Sequence, residues 1–308
     1  MGCGGLRGIK IPKTVTFIDP SAFRDCFSIQ SITVAPANKV YHSRGRCLIE
    51  TATKTLVAGC RSSEIPKDDS VTSIGPFAFS GRMFLKTEIP ASITDIDSTA
   101  FELDSFICVT VDENNPVYHE DGGCLIETAT KTLVAASKNS VIPNDGSVVC
   151  IQDYAFLNSR VSRIVIPESV TEIGEFAFSF CDRIREIEAD ENNPVYRSQS
   201  NCLYDSNGTV RLVGYNDSVP EREDVIAIGG GAFQGIFHKK VVIPENIKTI
   251  YDGAFMHCPA LKKVTIPASV ENIGDLAFFK CEDVVIRAPK KSHAAYFATK
   301  NSMKLELI

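Results

Sequence analysis

The chain has 308 residues, of which 44% are hydrophobic and 23% are charged, and its formal net charge is −6 at pH 7. This negative balance argues against a nucleic-acid partner, because phosphate binding requires a basic surface. Every apolar run is far shorter than the roughly 18 residues of a membrane-spanning helix, so we expect no membrane insertion. The N-terminus lacks the apolar stretch of a signal peptide, and we interpret residues 1–10 as a trimmed lead-in.

From residue 11 onward the dipeptide Ala-Phe recurs at intervals of 22 or 23 and 55 or 56 residues. An Ile-Pro or Val-Pro lies 11 or 13 residues before each one. Such periodicity is typical of stacked coils that bury their apolar sides on one another, and it predicts a solenoid over residues 11–287. The phenylalanines are Phe23, Phe79, Phe101, Phe156, Phe178, Phe233, Phe255 and Phe278.

The longer intervals contain a second unit that occurs three times. Tyr41, Tyr118 and Tyr196 are 77 and 78 residues apart, and each precedes a segment like Cys-Leu-Ile-Glu and then one like Thr-Leu-Val-Ala. We interpret these segments as the strands of an inserted β-hairpin, because the third copy joins them through Asn207-Gly208, a strong hairpin-turn signal. The solenoid is therefore predicted to contain three cycles of about 77 residues.

The short unit is clearest near residue 260. Leu261, Val264 and Ile266 form an L-x-x-L-x-L pattern. This pattern predicts a short parallel strand in each coil, with Val264 and Ile266 on its buried side. Proline after the strand ends the ladder because it cannot donate a hydrogen bond. We expect the Gly-Ala-Phe segment at Phe255 to form a tight turn that places the ring in the core, with Ile250 on the return path.

After residue 287 the pattern changes. Ser292 is predicted to cap a short helix that carries Ala295, Tyr296 and Phe297. Terminal repeats must differ from inner ones in order to seal the core, so residues 288–308 are predicted to form a C-terminal cap.

The eleven cysteines follow the repeat. Equivalent positions in successive coils point the same way, which favours buried thiols, although disulfides stay possible. Metal binding would need closely spaced pairs such as C-x2-C, and the sequence has none. We therefore expect no metal and no cofactor. Four cysteines follow a repeat phenylalanine and three lie in the hairpin unit: Cys26, Cys181, Cys258 and Cys281, and Cys47, Cys124 and Cys202.

The motif Ile-Pro-x-Ser-Val-Thr-x-Ile-Gly-x-x-Ala-Phe-x-x-Cys occupies residues 166–181, and residues 266–281 repeat it with Glu271 in place of threonine. It resembles the BspA-like (treponemal-type) leucine-rich repeat family from residue 11 to about residue 308. The resemblance implies a β-rich leucine-rich-repeat solenoid: a parallel strand ladder with short turns, inserted β-hairpins and little helix. It also implies a bacterial protein that is secreted or on the cell surface, in a family that includes adhesins and shares no catalytic motif.

An enzyme is the least favoured function, because no known catalytic motif occurs. His42 and His119 occupy equivalent places in the repeat, which favours a surface role over catalysis. Asp112 and Asp190 begin Asp-Glu-Asn-Asn-Pro loops whose oxygens could bind calcium. A turn is the preferred interpretation, because the first copy lacks the acids. The three glycines at 229–231 are likewise interpreted as a turn.

Residues between the buried positions of the predicted strands would line an open face, which includes Leu85 and Ile107. The last two coils stack four lysines there into a basic stripe that could bind an acidic protein or glycan. A solvated face of interleaved charges is the alternative interpretation. The candidate partner-binding residues are Arg163, Arg185, Lys239, Lys240, Lys262 and Lys263.

The sequence therefore predicts a non-catalytic surface or secreted binding or adhesion protein. We expect a monomer whose extended face binds a host or bacterial protein or glycan. A structural spacer or stalk that presents another domain is the alternative.

Overall fold

Short parallel strands and turns make up almost all of the structure. It is a computed structural model, and it describes residues 4–24, 26–60, 62–80, 86–101, 108–214, 219–235 and 238–308. Leu85 and Ile107, which were assigned to the open face, lie outside the described residues, as does Cys3. The chain divides into two units. Unit one comprises Met1–Val141 and Cys150–Ser159, and unit two comprises Ile142–Val149 and Arg160–Ile308. The boundaries predicted at residues 10 and 287 stay a prediction.

Unit one contains thirteen described strands and a short 3-10 helix at Pro20–Phe23. The strands are β1 (Gly8–Ile11), β2 (Ser31–Val34), β3 (Tyr41–Arg44), β4 (Cys47–Glu50), β5 (Thr55–Ala58), β6 (Ser73–Ile74), β7 (Thr87–Ile89), β8 (Asp95–Ile96), β9 (Val109–Val111), β10 (Tyr118–Asp121), β11 (Cys124–Glu127), β12 (Thr132–Ala136) and β13 (Cys150–Ile151). The front ladder pairs β1 with β2 and β7 with β9, all in parallel. The return ladder, on the opposite side of each coil, pairs β5 with β6, β6 with β8, and β12 with β13.

Unit two repeats both ladders. Its elements are β14 (Arg163–Ile166), β15 (Glu172–Ile173), β16 (Glu186–Ala189), β17 (Tyr196–Gln199), β18 (Cys202–Asp205), β19 (Thr209–Val213), β20 (Ala227–Ile228), β21 (Lys240–Val242), β22 (Thr249–Ile250), β23 (Lys263–Thr265), β24 (Asn272–Ile273), β25 (Val285–Ala288), helix α1 (His293–Lys300) and β26 (Lys304–Leu307). The front ladder consists of the pair β14–β16 and the sheet β21–β23–β25–β26, while β19, β20, β22 and β24 form the return ladder.

The predicted β-rich leucine-rich-repeat solenoid is confirmed. Val264 and Ile266 are fully buried, as the strand pattern requires. The two-residue strands of the return ladder were not predicted. Ile250 pairs in register with Ile228 and Ile273, so the apolar residues of the return path form a second parallel ladder. Each coil thus has two strands joined by turns.

The eight repeat phenylalanines are all buried, with at most 9% of any side chain exposed. In unit two the ring centroids of Phe233 and Phe255 lie 4.6 Å apart, and those of Phe255 and Phe278 lie 4.9 Å apart, both pairs stacked. The backbone N–H of Phe255 donates to the Ala277 carbonyl of the next coil at 2.8 Å. The small residue before each phenylalanine allows this close approach, because a larger side chain would separate the coils.

An asparagine near each hairpin unit binds the coil before it. The Asn193 side chain is fully buried. Its Nδ2 donates to the carbonyls of Pro167 and Val170, while its Oδ1 accepts from the N–H groups of Val195 and Tyr196. Asn38 and Asn115 make the equivalent four bonds in unit one. In each case Nδ2 donates to two carbonyls of the preceding coil, and Oδ1 accepts from the N–H groups two and three residues further along the chain. The turn preferred for this position is therefore also a cross-link between coils.

The predicted hairpins are confirmed and are larger than expected. β4 pairs antiparallel with β5, as do β11 with β12 and β18 with β19. An additional antiparallel strand precedes each hairpin, namely β3, β10 and β17, and it was not predicted. The last strand of each three-stranded unit also belongs to the return ladder. The inserted unit is therefore continuous with the return ladder through its last strand.

The tyrosine of each inserted unit is buried and starts its first strand. The Tyr41 hydroxyl accepts the N–H of Ile18 at 3.0 Å. Burial raises the pKa of Tyr118 to about 12, since a phenolate would be poorly solvated there. These tyrosines are thus part of the core.

Ten described cysteines are thiols, and six of the seven repeat-equivalent ones are buried, as predicted. Cys281 differs in being partly exposed. The Cys258 thiol donates to the Phe233 carbonyl at 2.9 Å, and the Cys281 thiol donates to the Phe255 carbonyl at 2.8 Å. Burial raises the pKa of the Cys124 thiol to about 12. The thiols of Cys258 and Cys281 thus also satisfy backbone carbonyls of the preceding coil.

The predicted C-terminal helix is confirmed. The Ser292 hydroxyl accepts the N–H of Ala295 at 3.2 Å, and α1 packs Phe297 against Phe278. The chain then forms β26, which the sequence reasoning missed. β26 pairs in parallel with β25 and so extends the front ladder by one strand.

Replacing Phe255 by alanine should lower the free energy of unfolding of unit two by about 3–5 kcal/mol, because the lost ring leaves a cavity between two stacked neighbours. Urea unfolding followed by circular dichroism measures this change. Phe279→Ala is the matched control, because the Phe279 side chain is 47% exposed. An equal effect of the two substitutions would contradict the assignment of the repeat phenylalanine to the core.

Asn193→Ala should destabilise unit two by at least about 2 kcal/mol, because it leaves two carbonyls and two N–H groups buried without partners. The neighbouring Asn192 is exposed and bonds only within its own turn, so Asn192→Ala should change stability little. Thermal melts of the two variants test the difference. Equal melting temperatures would show that the asparagine is not a cross-link.

Candidate binding face

The front ladder of unit two carries the predicted candidate residues in its strands or directly before them. In β21, β23 and β25, side chains alternate between the core and solvent, and Val241, Val264 and Ile286 point inward. The outward position before each of these residues therefore belongs to the face. Lys240 and Lys263 occupy it and pair in register across β21 and β23. Like charges stand opposite each other here, an arrangement that destabilises a sheet in the absence of a partner.

Lys239, Lys240, Lys262 and Lys263 together form what we call the lysine stripe. Lys239, Lys240 and Lys262 are exposed, and Lys263 is partly exposed. The Lys263 ammonium lies 2.6 Å from Glu306 Oε2. The structure therefore brings the four predicted lysines together, as expected, and adds a carboxylate to them.

Glu306 belongs to β26 and was not foreseen, because residues 288–308 were interpreted as a cap without a ladder strand. Its other oxygen lies 3.0 Å from Arg287 Nε. The hydrogen bond from Lys263, together with the charges of Lys263 and Arg287, lowers the pKa of Glu306. The alternating Lys-Leu-Glu-Leu sequence of β26 is the signal that could have revealed this strand.

Arg163 is the first residue of β14, and Arg185 lies directly before β16. Both belong to the other part of the front ladder, the pair β14–β16. Arg163 Nε lies 3.2 Å from Glu186 Oε2, and Arg163 Nη2 lies 2.6 Å from Glu188 Oε2. These carboxylates raise the pKa of Arg163. Arg185 is exposed, and its N–H donates to the Ser162 carbonyl. Because β14–β16 and β21–β26 are separate sheets, these two arginines are not in register with the lysine stripe.

The other sequence candidates have local structural roles. His42 Nδ1 lies 2.9 Å from the Thr51 hydroxyl, and the equivalent His119 lies 2.8 Å from Thr128. Asp112 accepts the backbone N–H of Asn114, which lowers its pKa and closes a turn. Over the described ranges, no group of three His, Cys, Asp or Glu side chains is placed to hold a metal ion. The described helix is too short to cross a membrane.

The repeats of this sequence match a known family. The model of the BspA-type leucine-rich repeat region matches six copies in this sequence, over residues 1–102, 49–150, 130–223 and 149–285. The chain belongs to the BspA-type leucine-rich repeat family. No curated protein matches it.

The solved structures to which this chain is similar include bacterial leucine-rich repeat proteins. A leucine rich cell surface protein from Faecalibacterium prausnitzii is 22% identical over 98% of this chain and 79% of its own, with a TM-score of 0.47. A leucine-rich repeat protein from Eubacterium ventriosum is also 22% identical, over 93% of this chain, with a TM-score of 0.46. The pneumococcal vaccine antigen PcpA is 17% identical over 98% of this chain, with a TM-score of 0.45. This BspA-type chain spans 61% of the Eubacterium protein and 68% of PcpA.

Glu306→Gln should strengthen binding of the lysine stripe to a polyanion, because it removes the carboxylate beside Lys263 and Arg287. The variant should leave a heparin column at a higher salt concentration than the wild-type protein at pH 7. Because the pKa of Glu306 is lowered in the folded protein, the carboxylate stays charged at this pH, and the difference should disappear only when acid protonates it. Glu245→Gln, a change at an exposed glutamate, controls for the altered net charge. Identical elution of the two variants would show that Glu306 does not control the stripe.

Proposed function

We propose that this protein is a non-catalytic binding or adhesion protein, secreted or held at the cell surface, whose front ladder binds a protein or glycan. Membership of the BspA-type family supports this proposal, since leucine-rich repeat proteins generally mediate protein interactions. The leucine rich cell surface protein of Faecalibacterium prausnitzii shares the repeat fold. The proposal gives the chain no catalytic role, and the pKa values raised to about 12 at Tyr118 and Cys124 reflect burial in the core.

The observation that carries the proposal is the lysine stripe. Parallel strands stand about 4.8 Å apart, so the ammonium groups of adjacent rungs repel one another. Glu306 pairs with Lys263, and the three other lysines keep exposed side chains. An acidic partner would relieve this repulsion and would be attracted over a distance of about 8 Å at physiological salt. The partner class is therefore an acidic protein surface or an acidic glycan.

A spacer that presents another domain is the second candidate. The ion pairs of Arg163 with Glu186 and Glu188 favour it, since they neutralise part of the ladder within the face itself. A spacer requires no ligand, so the two functions differ in whether the wild-type chain binds any acidic partner.

Replacing the four lysines of the stripe by serine should abolish salt-sensitive binding to acidic proteins and acidic glycans without lowering the melting temperature. An array of host matrix proteins, bacterial surface proteins and glycans, probed at low and high salt, measures the binding. A control variant carries four exposed lysines of unit one changed to serine, which matches the loss of charge. Those lysines are Lys10, Lys13, Lys39 and Lys54.

Only the stripe variant should lose binding. If both variants bind as the wild-type protein does, the binding site lies elsewhere. If the wild-type chain binds nothing on the array, the spacer function is favoured.

A further inference from the structure

Cys258 and Cys281 occupy the same place in two consecutive coils of unit two. Each lies three residues after a repeat phenylalanine, Phe255 or Phe278. Four of the eight repeats have a cysteine at this position, and only these two follow one another directly. The repeat pattern therefore places cysteine above cysteine in this pair of coils.

Backbone hydrogen bonds hold the two coils in register just before the cysteines. The N–H of Phe255 donates to the Ala277 carbonyl at 2.8 Å, and the N–H of His257 donates to the Phe279 carbonyl at 3.0 Å. The rings of Phe255 and Phe278 are stacked with their centroids 4.9 Å apart and their planes within 3° of parallel. Equivalent α-carbons of the two coils are therefore about 5 Å apart, inside the roughly 4.4–6.8 Å that a disulfide spans.

The two thiols also point the same way. Cys258 donates to the Phe233 carbonyl at 2.9 Å and Cys281 to the Phe255 carbonyl at 2.8 Å, and these acceptors are equivalent residues of the preceding coils. The Cys281 sulfur lies within hydrogen-bonding reach of the Cys258 thiol and of the Cys258 backbone N–H. These hydrogen bonds lower the pKa of the Cys281 thiol, against the opposing effect of burial. Because the thiolate is the nucleophile in thiol–disulfide exchange, Cys281 is activated for that reaction.

The two cysteines differ in their access to solvent. Cys258 is only 2% exposed, whereas Cys281 is partly exposed. Cys281 lines a cleft of about 450 Å³, which also includes Asn301 and Met303 from the segment that follows α1. This volume lies within the range of small-molecule sites. A small reagent that enters the cleft therefore meets Cys281 first.

We propose that Cys281 is a modification site for small disulfides such as glutathione disulfide, and that Cys258 converts the modified thiol into a disulfide between the two coils. The Cys281 thiolate attacks one sulfur of the small disulfide, whose S–S bond breaks as a mixed disulfide forms. The first small thiol leaves with the proton that Cys281 lost. Cys258 then loses its proton and attacks the Cys281 sulfur, which releases the second small thiol. The protein pair loses two electrons and two protons, and the small disulfide gains both.

The disulfide closes a loop that contains Lys262 and Lys263, half of the lysine stripe. A cross-link of this kind restricts the unfolded chain more than the folded one, so it stabilises the two coils. Small disulfides occur in the oxidising surroundings of secreted and surface proteins. Oxidation of the pair does not require that the stripe bind anything.

Incubation of the folded, reduced full chain with glutathione disulfide tests this proposal, when remaining thiols are then blocked and the unreduced peptides are identified by mass spectrometry. The wild-type chain should yield a cross-link between Cys258 and Cys281. Cys258→Ala should instead retain glutathione on Cys281, because the second thiol is missing. Cys281→Ala should slow the loss of the Cys258 thiol by about tenfold or more, since a buried thiol reacts slowly. Cys181→Ala, which removes a buried cysteine at the same repeat position of another coil, should react as the wild-type chain does.

Thermal melts give a second measurement on the wild-type chain. The cross-linked protein should melt about 5 °C or more above the reduced protein, and dithiothreitol should reverse the rise. Cys258→Ala, treated in the same way, should show no rise. Glutathione that stays on Cys281 of the wild-type chain, a cross-link of Cys258 to another cysteine, or reaction of Cys281 only in urea would overturn the proposal. Equal melting temperatures of the cross-linked and reduced proteins would show that the disulfide does not stabilise the coils.

Discussion

Each coil must place its backbone donors on the acceptors of an adjacent coil, and this constraint governs the rest of the structure. The N–H of Phe233 donates to the Ala254 carbonyl at 2.9 Å, and the N–H of Phe255 donates to the Ala277 carbonyl at 2.8 Å. Bonds of this kind require successive coils to stay in register and close together. The register then places identical side chains above one another, which is why phenylalanine stacks on phenylalanine and why a small residue precedes each one.

The same register explains how the inserted units are tolerated. β5 continues the return ladder into β6 and β8 through Leu56, Ile74 and Ile96, so the added strands begin from a rung that the solenoid already needs. The asparagine at the start of each unit, fully buried at Asn193 and partly buried at Asn38 and Asn115, holds the entering chain to the coil before it. An insertion anchored at both ends in this way lengthens the coil while the register between coils is kept.

The buried repeat could be predicted from the sequence because its residues are selected by one condition that recurs in every coil. The burial of Phe255, Val264 and Cys258, the hairpins and the Ser292 cap followed from spacing and residue type alone. The two-residue return strands were not predictable from periodicity, because only one apolar side chain, such as Ile250, marks each one. The strand at Tyr41–Arg44 carries three polar residues after its tyrosine and so lacks an apolar alternation.

The candidate sites were less predictable, because they depend on residues that do not repeat. The four lysines of the stripe could be aligned by counting from the repeat, whereas Glu306 reaches Lys263 only because β26 joins the ladder. The repeated residues thus identify the core, but they do not identify the residues that would bind a ligand.

Departures from the repeat must therefore be judged by whether the fold itself accounts for them. His238 occupies a place where Leu261 stands one coil later, and it is buried like that leucine. Its ring lies edge-on to Phe233 at 6.1 Å, so an aromatic contact replaces the aliphatic one.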